Sequence, residues 1–286
     1  MFDTHCHLNF KAFDGIVNTV ISAARAVGVN NIVIPGTDVV SSKKALLIAE
    51  KYDNIYAAVG IHPHHVFDMV KLKTQSSNLK ELDEIESLLR NDKVVAVGEV
   101  GLDRHIYQKT KYNEYQVNED FMKLQEQFLI VQLKLAYEFK KSVIIHNREA
   151  KDDLLQLMTE NWDPYFEGKI VFHCCEPDDI LLDFAIKHNI YIGVDGDVTY
   201  SPKKAAFVKK IPSELLVLET DSPFLLPRLP APEAAGNGGQ AEPLRFPNIP
   251  KNLNIIAEFV AKSRGESVEN LQRQTTENAK KLFNLT

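Results

Sequence analysis

Eight short runs of apolar, mostly β-branched residues recur along this chain, separated by longer stretches of helical periodicity. The runs are Met1–His7, Asn31–Pro35, Ile55–Gly60, Val94–Val100, Ser142–His146, Lys169–His173, Tyr191–Val194 and Leu215–Glu219. Between them, Ser41–Lys51 and Lys80–Arg90 carry helical patterns. Asn113–Lys141 is the clearest, with Val117, Phe121, Leu124, Phe128, Val131, Leu135 and Phe139 three or four residues apart on one face. Strands alternating with helices predict a parallel sheet wound with helices. Eight such units predict an α/β fold of the closed (β/α)8, TIM-type barrel class, in one domain over residues 1–286. An open doubly wound sheet is the competing reading, but no Gly-x-Gly-x-x-Gly follows the first run.

One segment breaks the alternation. Residues 223–250 hold seven of the thirteen prolines and three of the thirteen glycines, which no regular core element tolerates. The segment follows the eighth strand, so it is expected as a long loop over the C-terminal face, on the rim of the active site. Two helices finish the chain, over Asn252–Arg264 and from near Ser267, the last one extra to the barrel.

Composition narrows the class. No apolar run approaches the ~18 residues of a membrane span, and the N-terminus lacks a basic segment followed by an apolar one. Cys6, Cys174 and Cys175 form neither a disulfide framework nor a Cys-x-x-Cys. A cytoplasmic protein is expected, with no membrane partner, and a monomer. The 33 basic and 39 acidic residues give a net charge of −6, which excludes a protein that coats long nucleic acid but not one that grips a few nucleotides. The pairs Lys203-Lys204 and Lys209-Lys210 read as a solvated helix face.

The strand ends carry the chemistry. In "DTHCHL", His5 and His7 are two residues apart, so on a strand they share a face while Cys6 points away. The third strand delivers His62 and His64, in "AVGIHPHH". The fourth ends "VVAVGEVGLD", where Val95, Val97 and Glu99 are expected on one face. The fifth delivers His146, the sixth His173 and the eighth Asp221. Metal-competent side chains thus end six of eight apolar strands, and a barrel gathers all of these ends at one mouth. So many buried imidazoles and carboxylates are costly unless paired or bound to metal.

The pieces "DTHCHL", "GIHPH", "VGEVGLD", "VIIHNRE", "FHC", "LETDSPFL" and "TTENAKKLF" together resemble the TatD family of metal-dependent hydrolases, in the amidohydrolase-like barrel superfamily. They run in family order from residue 3 to residue 283. The resemblance implies a barrel with divalent metals and a phosphodiesterase that trims single-stranded DNA from the 3′ end. Carried over motif by motif, it implies that His5, His7 and Asp221 hold one metal, that His146 and His173 hold a second, and that Glu99 bridges them. Zinc, manganese and cobalt suit such a set, and it does not prohibit magnesium. Asp221 is also implied as acceptor of the attacking water's proton, and His62 and Arg148 as contacts to the substrate phosphate. His62 could instead shape a turn at Pro63, and Arg148 could pair with a carboxylate. Asp103 could orient a ligand or cap the following turn, and His64 and His65 are expected to face solvent.

The chain departs from the family pattern after His173, where Cys175, Glu176 and Pro177 stand in place of Phe, Ser and Gly. Beyond the last strand, Gln240–Pro243 reads "QAEP" where Arg-Asn-Glu-Pro is usual, with Arg245 as a compensating cation. "RHIYQKT" follows the GLD motif where aromatics are common, with Tyr107 close by. Cys174 and Cys175 read as packed free thiols rather than ligands. These departures touch substrate preference and leave the metal-competent residues in place. A rival reading keeps the barrel and cleaves a carboxylic ester or amide, such as a D-aminoacyl-tRNA. Another is a metal-free binding protein on the same barrel, which the filled ligand positions disfavour.

Overall fold

The computed structural model describes residues 1–67, 75–229 and 244–285, with the backbone alone over 75–79. Eight strands run parallel in the spatial order of the chain: β1 Phe2–Asp3, β2 Asn31–Pro35, β3 Ile55–Val59, β4 Val94–Asp103, β5 Ser142–Arg148, β6 Ile170–Phe172, β7 Tyr191–Val194 and β8 Leu216–Leu218. The described helices are α1 Val17–Ala26, α2 Val39–Ala49, α3 Gln75–Leu89, α4 Glu119–Glu138, α5 Lys151–Glu160, α6 Asp179–Lys187, α7 Pro202–Phe207, α8 Leu253–Arg264 and α9 Val268–Leu282. This is the expected barrel. One apolar core lies between strands and helices, and includes Ile21, Ala45, Val97 and Leu181. A second fills the barrel interior with Phe2, Val33, Ala58, Ile144, Val171 and Val217, and α9 closes its lower end with Leu282 and Phe283.

No strand ladder joins β1 to β8. Closure is made by Thr4 N donating to Leu218 O at 3.2 Å, Asp221 N to His5 O at 2.9 Å, His7 N to Ser222 O at 2.7 Å, and a single bridge between Cys6 and Ser222. Asp3 locks the seam, its carboxylate accepting from Thr220 Oγ1 at 2.6 Å and Thr220 N at 3.0 Å. The expected strand over Met1–His7 is therefore shorter. It stops at Asp3, and a bend at Thr4 re-registers the chain, so that Phe2 faces the interior core and the following odd-numbered histidines face the mouth.

The shared face expected for Val95, Val97 and Glu99 does not exist. Pairing slips between Ala57 and Ala58 and again between Val97 and Val100, so Val95 joins the interior core, Val97 the outer one, and Glu99 turns to the mouth. The helical stripe is also displaced. Asn118 caps α4 by accepting from Phe121 N at 2.9 Å, and the buried face passes through Gln125 and Gln132, leaving Val131 37% exposed. The glutamines are buried because they satisfy strand-end backbone: Gln125 clamps the N–H and C=O of Asp103, and Gln132 those of Ile61.

Candidate metal centre

The mouth is a cavity of about 560 Å³ lined by His7, His62, Glu99, His146, Arg148, His173 and Asp221, among others. His5 lies fully buried beneath it. All six expected donors and both expected substrate contacts thus come together at one end of the barrel. Glu99 sits between two groups and divides its oxygens. Its Oε2 is 3.5 Å from His5 Nε2 and 3.6 Å from His7 Nε2, and its Oε1 is 2.9 Å from His146 Nδ1 and 3.7 Å from His173 Nε2. Asp221 Oδ1 completes the first group, 3.7 Å from His5 Nε2 and 3.5 Å from His7 Nε2. The two Nε2 atoms are 3.1 Å apart.

These spacings test whether a cation fits. Four ligands about 2.1 Å from a central ion stand about 3.4 Å from one another. Five of the six separations in the first group are given above and span 3.1 to 3.7 Å. Two imidazole nitrogens and two carboxylate oxygens are a donor set for zinc, manganese or cobalt. Burial lowers the pKa of His5 to about 4, which leaves its lone pair available. Burial alone would raise Glu99, but the imidazoles of His62, His146 and His5 outweigh it and hold the carboxyl well below its usual range. The set fits a divalent ion.

The histidines of the second group have other partners as well. His173 Nδ1 meets Glu219 Oε1 at 2.9 Å, which presents Nε2 to the mouth. His146 Nε2 meets Asp103 Oδ2 at 3.1 Å. Burial disfavours charge on both rings, yet these carboxylates and Glu99 prevail, raising His146 to about 9 and His173 to about 10.

A family model described as TatD related DNase matches residues 2–284 of the chain. The chain belongs to the TatD family. It is 33% identical over 288 residues to YabD of Bacillus subtilis, a protein named as a metal-dependent hydrolase, with 100% of this chain and 99% of YabD covered. It is 33% identical over 291 residues to a TatD of Edwardsiella piscicida named as a 3′-5′ ssDNA/RNA exonuclease, covering 100% of both chains. In fold it is similar to the crystal structure of YJJV, a TatD homologue from Escherichia coli, with a TM-score of 0.80, 28% identity and coverage of 100% of this chain and 98% of that one. This TatD family member is accordingly a metal-dependent hydrolase.

Around the donors, most alternative roles are settled by contacts. His62 does two things: its Nδ1 accepts from His64 N at 3.1 Å, shaping the turn, and its Nε2 lies 3.5 Å from Glu99 Oε1. Arg148 has no carboxylate partner among the described residues; it donates to Tyr107 Oη at 3.3 Å, its guanidinium 5.2 Å from that ring's centre. Asp103 both orients His146 and caps the turn, accepting from His105 N at 2.8 Å and Tyr107 Oη at 2.7 Å. His64 and His65 do not face open solvent: His64 packs against Tyr107 and Tyr115, and His65 Nδ1 meets Tyr112 Oη at 2.8 Å.

Lys204 is not on a solvated face. It is buried, 2.7 Å from Asp197 and 3.7 Å from Asp195, on the face of α7 that also buries Phe207. Cys174, Asp195 and Asp197 are close enough to share a cation, and the Lys204 ammonium supplies that charge, 3.7 Å from Cys174 Sγ. Burial raises both thiols, so Cys174 and Cys175 are neutral. Glu176 stands at the rim with its side chain 66% exposed. Gln240–Pro243 lies outside the described residues.

Glu219 escaped the sequence reading. Besides His173 it accepts from Cys174 N at 2.6 Å and Thr4 Oγ1 at 3.2 Å. Its space depends on Gly193, where a Cβ would fall 2.5 Å from Glu219 Oε2. The available signal was a carboxylate ending an apolar run, the same signal that picked out Glu99.

Proposed function

We propose that this enzyme is a 3′–5′ exonuclease for single-stranded DNA or RNA ends, working as a cytoplasmic monomer with two divalent ions. The observation that carries the reading is the division of Glu99 between two donor groups on the floor of a cavity whose wall holds Arg148 unpaired by any described carboxylate. His5, His7 and Asp221 would hold one ion, His146 and His173 the other, and Glu99 both; zinc, manganese, cobalt and magnesium remain the candidates. Such ions, when bound, ionise water near neutral pH and neutralise phosphoryl charge.

The chain's own residues do the rest. Asp221, held ionised by His7, His173 and His5 against its burial, takes the proton of the attacking water through a carboxylate oxygen. Arg148 donates to the phosphate oxygens from the β5 end, and His62 approaches from the β3 loop. Asp103 and Glu219 keep His146 and His173 oriented through every turnover. Phe10, stacked on His7 at 4.3 Å, keeps water from the outer side of that imidazole.

The names borne by the TatD relatives support the nuclease reading. The test is product analysis on a 3′-labelled single strand, with chelator and with added cation. Release of 5′-mononucleotides that stops with chelator and returns with cation is expected. Release of an amino acid from aminoacyl-tRNA, with every phosphodiester left intact, would replace the reading with an esterase.

A further inference from the structure

Four aromatic side chains stand well out in solvent among the described residues: Tyr137 at 43%, Tyr200 at 38%, Phe224 at 47% and Phe246 at 68%. Three of them, Tyr200, Phe224 and Phe246, belong to the loops that follow β7 and β8. One of them, Phe224, reaches the mouth. Phe224 lines it and meets His7 edge-on at 6.4 Å and Phe10 at 6.1 Å. Arg228 lies over the Tyr200 ring, 4.6 Å from its centre.

The arrangement is built rather than incidental. The β8 loop is laid tightly on the β7 loop: a Cβ at Gly196 would fall 2.0 Å from Leu225 O and 3.1 Å from Pro227 Cδ. Arg228 N donates to Thr199 Oγ1 at 2.7 Å, joining the loops again beside Tyr200. The returning segment is pinned as well, with Asn248 N donating to Pro223 O at 3.0 Å and Asn248 Nδ2 to Thr220 O at 2.9 Å. Among the described residues neither Arg228 nor Arg245 forms an ion pair.

The flank beyond the ends of β5 and β6 is different. A cleft of about 810 Å³ leaves the mouth past Arg148 and Glu176, and five carboxylates line it against three cations. Two of the three, Arg104 and Lys151, are occupied by Asp153 at 2.6 Å and Asp178 at 3.0 Å. That flank is acidic, whereas on the β7–β8 rim Arg228 and Arg245 have no ion pair among the described residues. Aromatic faces beside an unpaired guanidinium form a sequence-tolerant platform for single strands, because every base has a π-face.

We infer that the strand 5′ of the scissile bond leaves the mouth across this rim, with one base against Phe224 and the next nucleotide held at Tyr200 and Arg228. The inference rests on the nuclease reading above, and names the surface that makes a long strand a better substrate than a dinucleotide.

The experiment compares kcat/KM on a dinucleotide with that on a single strand of roughly ten nucleotides. In Tyr200→Ala and Arg228→Ala the ratio of long to short should fall about tenfold, through KM for the long strand. Arg228→Glu should lower it further. Tyr137→Ala, an exposed aromatic on α4 far from the mouth, should keep the wild-type ratio. An unchanged ratio in all three rim variants overturns the path, as does a loss shared equally by both substrates. A wild-type enzyme that cleaves neither substrate overturns the nuclease reading itself, and the path with it.

Discussion

His5, His7, Asp221 and the Oε2 of Glu99 make a cage of donors turned on one point, whereas His146 and His173 are each already tied to a second carboxylate. In the first group the imidazoles approach the carboxylates no closer than 3.5 Å, a ligand-to-ligand spacing. In the second, His146 is within hydrogen-bond distance of Glu99 at 2.9 Å and of Asp103 at 3.1 Å. The first group is arranged for a cation before one arrives. To take one, the second would have to exchange protons for it, since the carboxylates around its rings favour the imidazolium form. The difference teaches that one shared carboxylate can serve two sites of unequal readiness.

The strongest way to break this comparison is Glu99→Ala. Because the residue faces both groups, bound metal should fall to near zero and kcat by two orders of magnitude or more, at about 1.4 kcal/mol per tenfold. Full metal content by elemental analysis would show that Glu99 serves neither. Glu219→Gln cuts more finely. It removes the partner of His173 Nδ1 while leaving all four donors of the first group in place, and should weaken one metal equivalent by about 10- to 100-fold, the other much less. Equal weakening of both equivalents would erase the distinction between the groups.

Titration sharpens it. His5 is neutral above about pH 4, whereas His146 and His173 shed their protons only toward pH 9 and pH 10. Bound protons compete with metal, so affinity at the second group should climb as pH rises from neutrality toward 9, with protons released on binding. His5, already neutral there, adds no such dependence at the first group over the same range. Calorimetry in buffers of different ionisation enthalpy separates the two. Arg148→Ala lies outside both groups and should cost about 1.5–3 kcal/mol, seen in KM and not in metal content. Smallest of all is the ionic-strength effect. With about two or three phosphates gripped, log affinity for a single strand should fall with log salt at a slope near −1.5 to −2. A slope steeper than about −4 would reveal a basic track on a chain of net charge −6.

The barrel and the gathering of the six candidate donors at its mouth were legible because those residues stand at or just past the ends of the strand candidates, where a charged or imidazole side chain has no structural excuse. Strand order alone then brings them together. What surrounds them was not legible. Glu219 sits two positions before Asp221, and nothing local says that one orients a ring while the other faces the cavity. Lys204 reads as one of a surface lysine pair until α7 is seen to end at Phe207 and to aim it at Asp197. The alternation expected at Val95, Val97 and Glu99 failed because the pairing register slips twice, and such slips are set by neighbouring strands rather than by the strand's own residues. Gln125 and Gln132 were hidden for the same reason: their partners are backbone groups 22 and 71 positions away.

The seam between β1 and β8 has a consequence for the moment at which the enzyme comes into being. Asp3 and Thr220 meet across a separation of 217 residues, and the same closure brings His5 and His7 to Asp221. During translation the two histidines are made well ahead of their carboxylate partner, which lies more than 200 residues further along the chain. A nascent chain can order its early strands and helices as they emerge, but contacts of this span wait for the last strand. Until then the first cage lacks its Asp221 wall, the carboxylate 3.7 Å from His5 Nε2 and 3.5 Å from His7 Nε2. The first donor cage is therefore a product of barrel closure, and it is complete only once the strand that closes the barrel has been made.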